Sequence, residues 1–522
     1  MRPPLWQPPI ALSAAEAAVV GRIRRAKLFV FLRQQRHELF DEAFQAELGA
    51  LYRESAEGQP PVPPARLALA LLLQAYTGVS DDEVIEASTM DRRWQLVLDC
   101  LDCEAPPFSK GTLVGFRQRL IEADLDRRLV ERTVALAAAR KAFGPRQLRA
   151  ALDSSPLWGA GRVEDTYNLL GHALRKALGV LARQQGRGLA DVASEAGAGL
   201  VAGSSLKAAL DRDWDDPEAR AQALVEVLAA LEATEQYLAA QPTAAADPAV
   251  AAGLAAAQQV VAQDTTIAAD GTPALRQGVA PDRRISVEDA EMRHGRKSRS
   301  RLIDGYKRHV LRDLDRGLVP AVGVTPANAP EAAVGEAIAA DLAAQDLTLA
   351  ELHIDRAYLS SVLVRERPPE RAIYCKAWPV QAGPPFPKTA FAIDWAAGTV
   401  RCPGGVVVPC VAGETARFPA ERCAACPLRA DCTTSARGRS LTLHPDERLL
   451  AELRARQLTP AGRAKLRERV GVEHSLAHIG HWQGDRARYR GLRKNLFDLR
   501  RCAVVHNLHV LARLPAPQAE AA

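Results

Sequence analysis

Two short apolar runs, each closed by an aspartate, limit the folds open to this chain more than any other feature. In "RAALDSSP" the run ends at Asp153, with Pro156 just beyond; in "LAELHIDRAY" it ends at Asp355. Each reads as a short buried strand stopped by a turn, and an Asx-type turn accounts for either aspartate taken alone. Taken together they put two carboxylates at the C-terminal ends of neighbouring strands, the edge at which α/β sheets hold ligands. Like charges that close are costly unless a cation neutralises them or one takes up a proton. Mg²⁺ is a hard cation that prefers oxygen ligands and keeps several waters, so a few carboxylates hold it. Two such ions about 3.5–4 Å apart activate a water and stabilise the leaving oxygen in phosphodiester cleavage.

A third carboxylate is expected from a separate element, and Glu473 in "RERVGVEHSLAHIGHW" is the candidate. Leu466, Val470 and Ala477 mark an apolar stripe on which Glu473 falls. An acid there is expensive unless it is paired or ligates metal. Arg469, four residues earlier, can lock it, and an ordinary Glu–Arg surface pair is the competing account. Asp289, Asp304, Asp313 and Asp315 compete for metal roles, though a hairpin turn explains Asp313 and Asp315 more cheaply.

The pattern of elements predicts a mixed α/β protein. Residues 1–30 read as a poorly fixed leader, and residues 31–145 as a helical domain suited to DNA binding. Residues 146–513 form the α/β domain, with a helical insertion at 166–262 and a Cys-rich insertion at 385–440; residues 514–522 are a tail. Within it, "GYKRHVLRDLDRGLVPAVGV" predicts a β-hairpin turning at Gly317. No apolar run is long enough to span a bilayer and the first residues lack a secretory pattern, so a cytoplasmic, nucleoid-associated location without membrane contact is expected.

A net charge of +6 decides little. Its distribution says more, because basic residues crowd "MRHGRKSRSRLIDGYKRH" and "RARYRGLRKNLFDLRR". Arg293, Arg296, Lys297, Lys307, Arg469, Arg486, Arg488, Arg490, Arg493 and Lys494 are the candidate DNA contacts, set against the alternative of a solvated Arg-rich surface. Trp158, Trp482 and Tyr167 are candidates for base stacking, although such aromatics more often pack. His474 and His478 are spaced i,i+4, which suits a metal, but no third ligand accompanies them.

Nine cysteines in a cytoplasmic chain are thiols or metal ligands rather than disulfides. Cys423-x2-Cys426-x5-Cys432, with Cys402 upstream, supplies four thiolates for a structural Zn²⁺, with Cys410 as a substitute for Cys402. An iron–sulfur centre or plain thiols are the rival readings. Cys100, Cys103, Cys375 and Cys502 read as packing residues.

The segments "ALDSSPLWGAGRVEDTYNLL", "HIDRAYLS", "CPGG…CAACPLRADC" and "VEHSLAHIGHWQGDRARYRGLRKNLFDLRR" together resemble the DDE transposases of bacterial insertion sequences, in the IS-five-like and IS-eleven-eighty-two-like group. "ARLALALLLQAYTGVSDDEVIEASTMDRRWQ" is similar to that family's helical DNA-binding domain. The resemblance implies a ribonuclease-H-like core. It implies that Asp153, Asp355 and Glu473 bind two Mg²⁺ or Mn²⁺ ions, and that double-stranded DNA is cut at the element's ends and joined to a target. It also implies a homodimer. An inactive or domesticated DNA-binding relative, or a nuclease of the same fold, would carry the same segments. The family's third-acid helix bears Tyr, Arg, Glu and Lys at set spacings; here Arg469 and Glu473 fit, while Leu466 and Gly480 stand at the Tyr and Lys positions. His481, Arg486 or Arg488 are left as substitutes for phosphate contact.

Overall fold

Strand β1, Gln147–Trp158, organises the main sheet. The structure, a computed structural model, describes residues 2–54, 59–140, 147–297, 300–378 and 385–514. Five further strands join β1 in one sheet: β2 (Arg293–Arg296), β3 (Leu302–Asp313), β4 (Ala321–Pro326), β5 (Thr348–His353) and β6 (Ala372–Tyr374). On one side of β1 lies β3, antiparallel, and its far edge pairs first with β2 and then with β4. On the other side β5 runs parallel to β1, and β6 runs parallel to β5. Three long antiparallel strands followed by two parallel ones make a mixed sheet consistent with a ribonuclease-H-like core. The expected hairpin is β3 and β4, and Gly317 in its turn adopts φ +82°, which favours glycine.

β1 does not end at Asp153. It continues through Pro156 to Trp158, pairing with β3 throughout, so that Asp153 lies opposite Val310 and Pro156 opposite Lys307. Trp158 sends its N–H to Asp485 O (2.8 Å) and accepts from Ala487 N–H (2.6 Å), so its peptide groups face away from β3. By the two-residue period of a strand, Pro156 presents its missing N–H to that same outer edge, where no ladder bond is lost. β5 meanwhile pairs with β1 only as far as Ala151, which leaves this edge open beyond it.

The N-terminal region is helical, as expected, and includes α1 (Pro64–Thr77) and α2 (Asp126–Ala139). The leader is not loose. Ser13 closes a capping box with Glu16, Arg33 pairs with Glu16 at 2.6 Å, and Trp6 is buried. A buried aromatic and a buried ion pair fix a segment that Pro and Ala content alone made look free.

Between β1 and β2 the chain forms the helical insertion, with α3 (Thr166–Gln184), α4 (Pro217–Ala239) and α5 (Pro248–Asp264). Asp165, Asp216 and Asp247 cap these three helices through their side chains, and Leu170, Leu174, Leu224, Val227 and Val260 fill a core of their own. After β4 comes α6 (Gly335–Ala343), and after the Cys-rich insertion come α7 (Glu447–Leu458), α8 (Pro460–Glu468), α9 (Val470–Gln483) and α10 (Leu492–Leu511).

Two cores sandwich the sheet. One face packs Leu152, Leu311 and Leu352 under Ile338 of α6 and Leu450 of α7. On the other, Ala151, Val310 and Val322 pack with Leu476 and Ile479 of α9 and Phe497 and Val504 of α10. That second core is continuous with the N-terminal helices through Leu69, Leu72 and Leu136. Residues 386–443 form a small β module beside them, with a three-stranded and a two-stranded sheet over Phe391, Val400, Phe418 and Leu441.

Candidate active site

The register of β1 against β5 sets the site. Ala151 lies level with His353, so Asp153 and Asp355, each two residues further on, point to the same face at the same level of adjoining chain paths. Leu152 and Ile354 point the other way, into the core. Asp355 lies just beyond β5, where its carboxylate accepts from Ala357 N–H (2.8 Å) and caps a single turn, Arg356–Tyr358. Asp153 accepts from Ser154 N–H at 2.8 Å.

Glu473 enters from α9, whose buried face is Val472, Ser475, Leu476 and Ile479. The expected stripe of Leu466, Val470 and Ala477 is not that face: Val470 is exposed, and the helix breaks at Arg469, between α8 and α9. Glu473 is half-exposed at the flank of the helix rather than buried in apolar surroundings. Arg469 joins the two elements, forming ion pairs with Asp153 and, at 3.1 Å, with Glu473. The three acids thus line one cleft of about 670 Å³, together with Lys297, Lys307 and Arg308.

Burial pushes the Asp153 carboxyl above its ordinary range, with Arg469 opposing and Glu473 adding to the rise. Burial does the same to Asp355, helped by the charge of Asp153 and opposed by the Ala357 N–H. Burial thus outweighs the nearby Arg469 guanidinium at both carboxyls. Beneath them Tyr358 is buried and its hydroxyl meets His309 Nδ1 at 2.7 Å, while His309 Nε2 meets Thr325 Oγ1 at 2.9 Å. This neutral network supports the floor of the cleft from β3 and β4.

The competing aspartates are accounted for elsewhere. Asp304 pairs with His294 (2.6 Å), Asp289 accepts from the buried Tyr306 hydroxyl (2.6 Å), Asp313 caps the hairpin turn and Asp315 pairs with Arg149 (2.7 Å). His478 turns to His506 on α10 (2.9 Å) and does not act with His474. Tyr167 donates to Arg220 O within the insertion, and Trp482 stacks on His509. Both pack rather than offering a free face.

The candidate DNA contacts divide. Lys297, Lys307 and Arg469 line the cleft, although Lys307 is buried against Glu331 (3.1 Å). Arg486, Arg488, Arg490 and Lys494 are exposed on α10's leading loop and first turn, and the first three reach Gly159 O, Val79 O and Glu288. Arg296 is exposed at the end of β2. Arg293 is spent on Asp282 (2.6 Å), and Arg493 on Asp124 (3.2 Å) and Asp126, where it ties α10 to the helical domain. Arg308, absent from the sequence reading, donates to Ser155 Oγ (2.7 Å) and Gly484 O (2.8 Å). It lies in the basic segment 292–309, but only the strand register, which sets it opposite Ser155, brings it to the cleft.

Glu351, His353 and Glu468 place ligand atoms within 4.8 Å of one another. Arg149 reaches Glu351 (3.0 Å) and Glu468, and Lys465 reaches Glu351 (2.9 Å). Arg149 and Lys465 join Glu351, Glu468 and Asp315 in one ion-pair network, a clamp holding α8 to β1 and β5.

Residues 411–512 match the family model described as Transposase DDE domain, and residues 28–119 match that described as Transposase domain (DUF772). The first takes in Arg469, Glu473 and α10, and the second takes in α1 and most of the N-terminal helices. No curated protein and no solved structure matches the chain.

Proposed function

We propose that this chain, a DDE-type transposase as both family matches support, cuts and joins DNA with divalent cations held by Asp153, Asp355 and Glu473. The observation that carries the reading is the convergence of three carboxylates on one cleft with a single guanidinium between two of them. Oxygen ligands from separate elements, two of them partly buried carboxyls beside one another, suit hard dications such as Mg²⁺ or Mn²⁺. Bound there, a pair of such ions supplies an activated water or 3′-hydroxyl and neutralises charge on the leaving oxygen.

The chain's own residues do the rest. β1 carries Asp153 and the turn that follows β5 carries Asp355, and the Glu351 clamp holds α8 so that Arg469 and Glu473 face them. Lys297, Lys307 and Arg308 line the same cleft and supply the positive wall that a phosphodiester backbone needs. Arg308 also bears on the Lys missing from the third-acid helix. A Cβ at Gly480 would stand 3.1 Å from its guanidinium, so the glycine leaves room for a cation delivered from β3. Arg308 is buried and held by Ser155, Gln483 and Gly484, so its proposed part is to brace this wall of the cleft with positive charge, leaving direct phosphate contact to His481, Arg486 or Arg488.

The N-terminal helices and the exposed Arg486, Arg488, Arg490 and Lys494 are proposed to hold the terminal repeats of a bacterial insertion sequence, in a homodimer. The test is a cleavage assay on labelled DNA carrying the element's ends, with Mg²⁺ or Mn²⁺. Strand cleavage and joining that Asp153→Asn abolishes, with DNA binding retained, support the reading. Binding without cleavage under either ion would identify an inactive relative, and cleavage without joining would identify a nuclease.

A further inference from the structure

The β module between the second and third acids carries five strands of three residues each, and they share only eight buried apolar residues. A unit that size rarely holds together on its core alone, and small units are commonly stapled by metal or disulfides. All nine cysteines of the chain are free thiols. Four of them, Cys402, Cys423, Cys426 and Cys432, surround one cavity of about 20 Å³, room for a single ion.

The backbone around the cavity is arranged for thiolates. Cys423 and Cys426 flank one turn, with Cys426 N–H on Cys423 O (3.3 Å), and the Arg439 N–H donates to Cys423 Sγ at 3.5 Å. An N–H aimed at sulfur stabilises the charged form. Cys402 opens a tight turn, with its own N–H on Val406 O (2.9 Å) and Gly405 N–H on Cys402 O (2.9 Å). A Cβ at Gly404 would approach Cys426 Sγ to 2.9 Å, so the turn can press against the cavity only with glycine there. Cys432 feels the other three thiols, and burial pushes its own thiol up. Cys410 belongs to another part of the module, its N–H on Gly398 O (2.8 Å), and does not line the cavity. No three of the four Sγ atoms lie within 4.8 Å of one another as the Glu351 cluster's ligand atoms do, so binding requires the thiols to close on the ion.

We infer that Cys402, Cys423, Cys426 and Cys432 form a tetrathiolate Zn²⁺ site that staples this module, with Cys410 outside it. Four soft sulfur ligands in a closed pocket suit tetrahedral zinc in a structural role, and leave no open position for catalysis. This inference stands apart from the transposase reading.

Metal analysis of the full chain, purified without chelator, tests it. One zinc per chain is expected, released by a thiol-modifying reagent. Cys423→Ser with Cys426→Ser should lose it, while Cys410→Ser and Cys103→Ser keep it. Should the double variant fail to fold, Co²⁺ exchanged into the wild-type chain should give the visible bands of tetrahedral thiolate cobalt. Absence of both stoichiometric zinc and cobalt bands overturns the site. So does iron with a coloured sulfide cluster, or loss of zinc from Cys410→Ser.

Discussion

Replacing Arg469 with methionine keeps the aliphatic stem and removes the cation that bridges Asp153 and Glu473. In the metal-free protein, the half of the bridge facing Asp153 is well enclosed, with side chains 28% and 15% exposed. The half facing Glu473 is open, with the glutamate 52% exposed. Two unit charges at about 4 Å attract by about 4 kcal/mol at an effective dielectric near 20, before desolvation is subtracted. An exposed pair nets about 0–1 kcal/mol, and leaving one member of a fully buried pair unpaired costs about 3–5 kcal/mol. Arg469→Met should therefore lower metal-free stability by about 2 kcal/mol, nearly all of it from Asp153. The effect on cations has the opposite sign. A guanidinium seated between Asp153 and Glu473 competes with any dication, so its removal should tighten Mn²⁺ binding by about tenfold, or about 1.4 kcal/mol. Denaturant titration in chelator measures the first quantity, and calorimetric or paramagnetic titration with Mn²⁺ measures the second. Weaker Mn²⁺ binding in the variant, or no change in either measurement, would refute the competition.

Further expectations follow from the same contacts. Asp355→Asn keeps an acceptor for Ala357 N–H and removes a charge that burial and Asp153 disfavour, so metal-free stability should rise by about 0.5–2 kcal/mol while cleavage is lost; denaturant midpoints and the end-cleavage assay check both. Burial holds His309 at about 3 and His506 and His509 at about 4, below the unfolded value near 6.5. Their stabilising contribution is complete above about pH 6.5 and is lost as pH falls toward about 4, by up to about 1.4 kcal/mol per pH unit for each histidine; urea midpoints that stay flat from pH 7 to 5 would count against this. Asp126 is buried and accepts from Arg493 and Arg500 (3.1 and 3.2 Å), so Asp126→Asn should cost about 3 kcal/mol in denaturant titration, and a change below about 0.5 kcal/mol would show the helical domain is held otherwise.

The strand-borne half of the site was legible because it is local. A run of small apolar residues followed by an acid marks Asp153 and Asp355, and the turn residues mark the β3–β4 hairpin. Where β1 ends was not legible, because Pro156 is harmless only on an edge that β5 has already left, and that depends on register across the sheet. Glu473 was identified through a stripe that the structure does not contain. Val470 and Ala477 are both exposed on α9, whose buried face runs through Val472, Leu476 and Ile479, so the stripe follows the wrong side of that helix. Arg308 was missed because its place in the cleft depends on pairing with Ser155. The leader misled because its anchors, Trp6 and the Arg33–Glu16 pair, are long-range contacts that composition does not report.

The last helix, α10, packs against α1, α2 and β4, and its Asn507 bonds both Thr133 (2.9 Å) and Val319 (2.9 Å). Synthesis runs from the N-terminus, so everything earlier leaves the ribosome before this shared wall exists. The first helices and the sheet each keep a bare apolar flank until α10 has been made. A copy cut short before α10 would leave both flanks open to water.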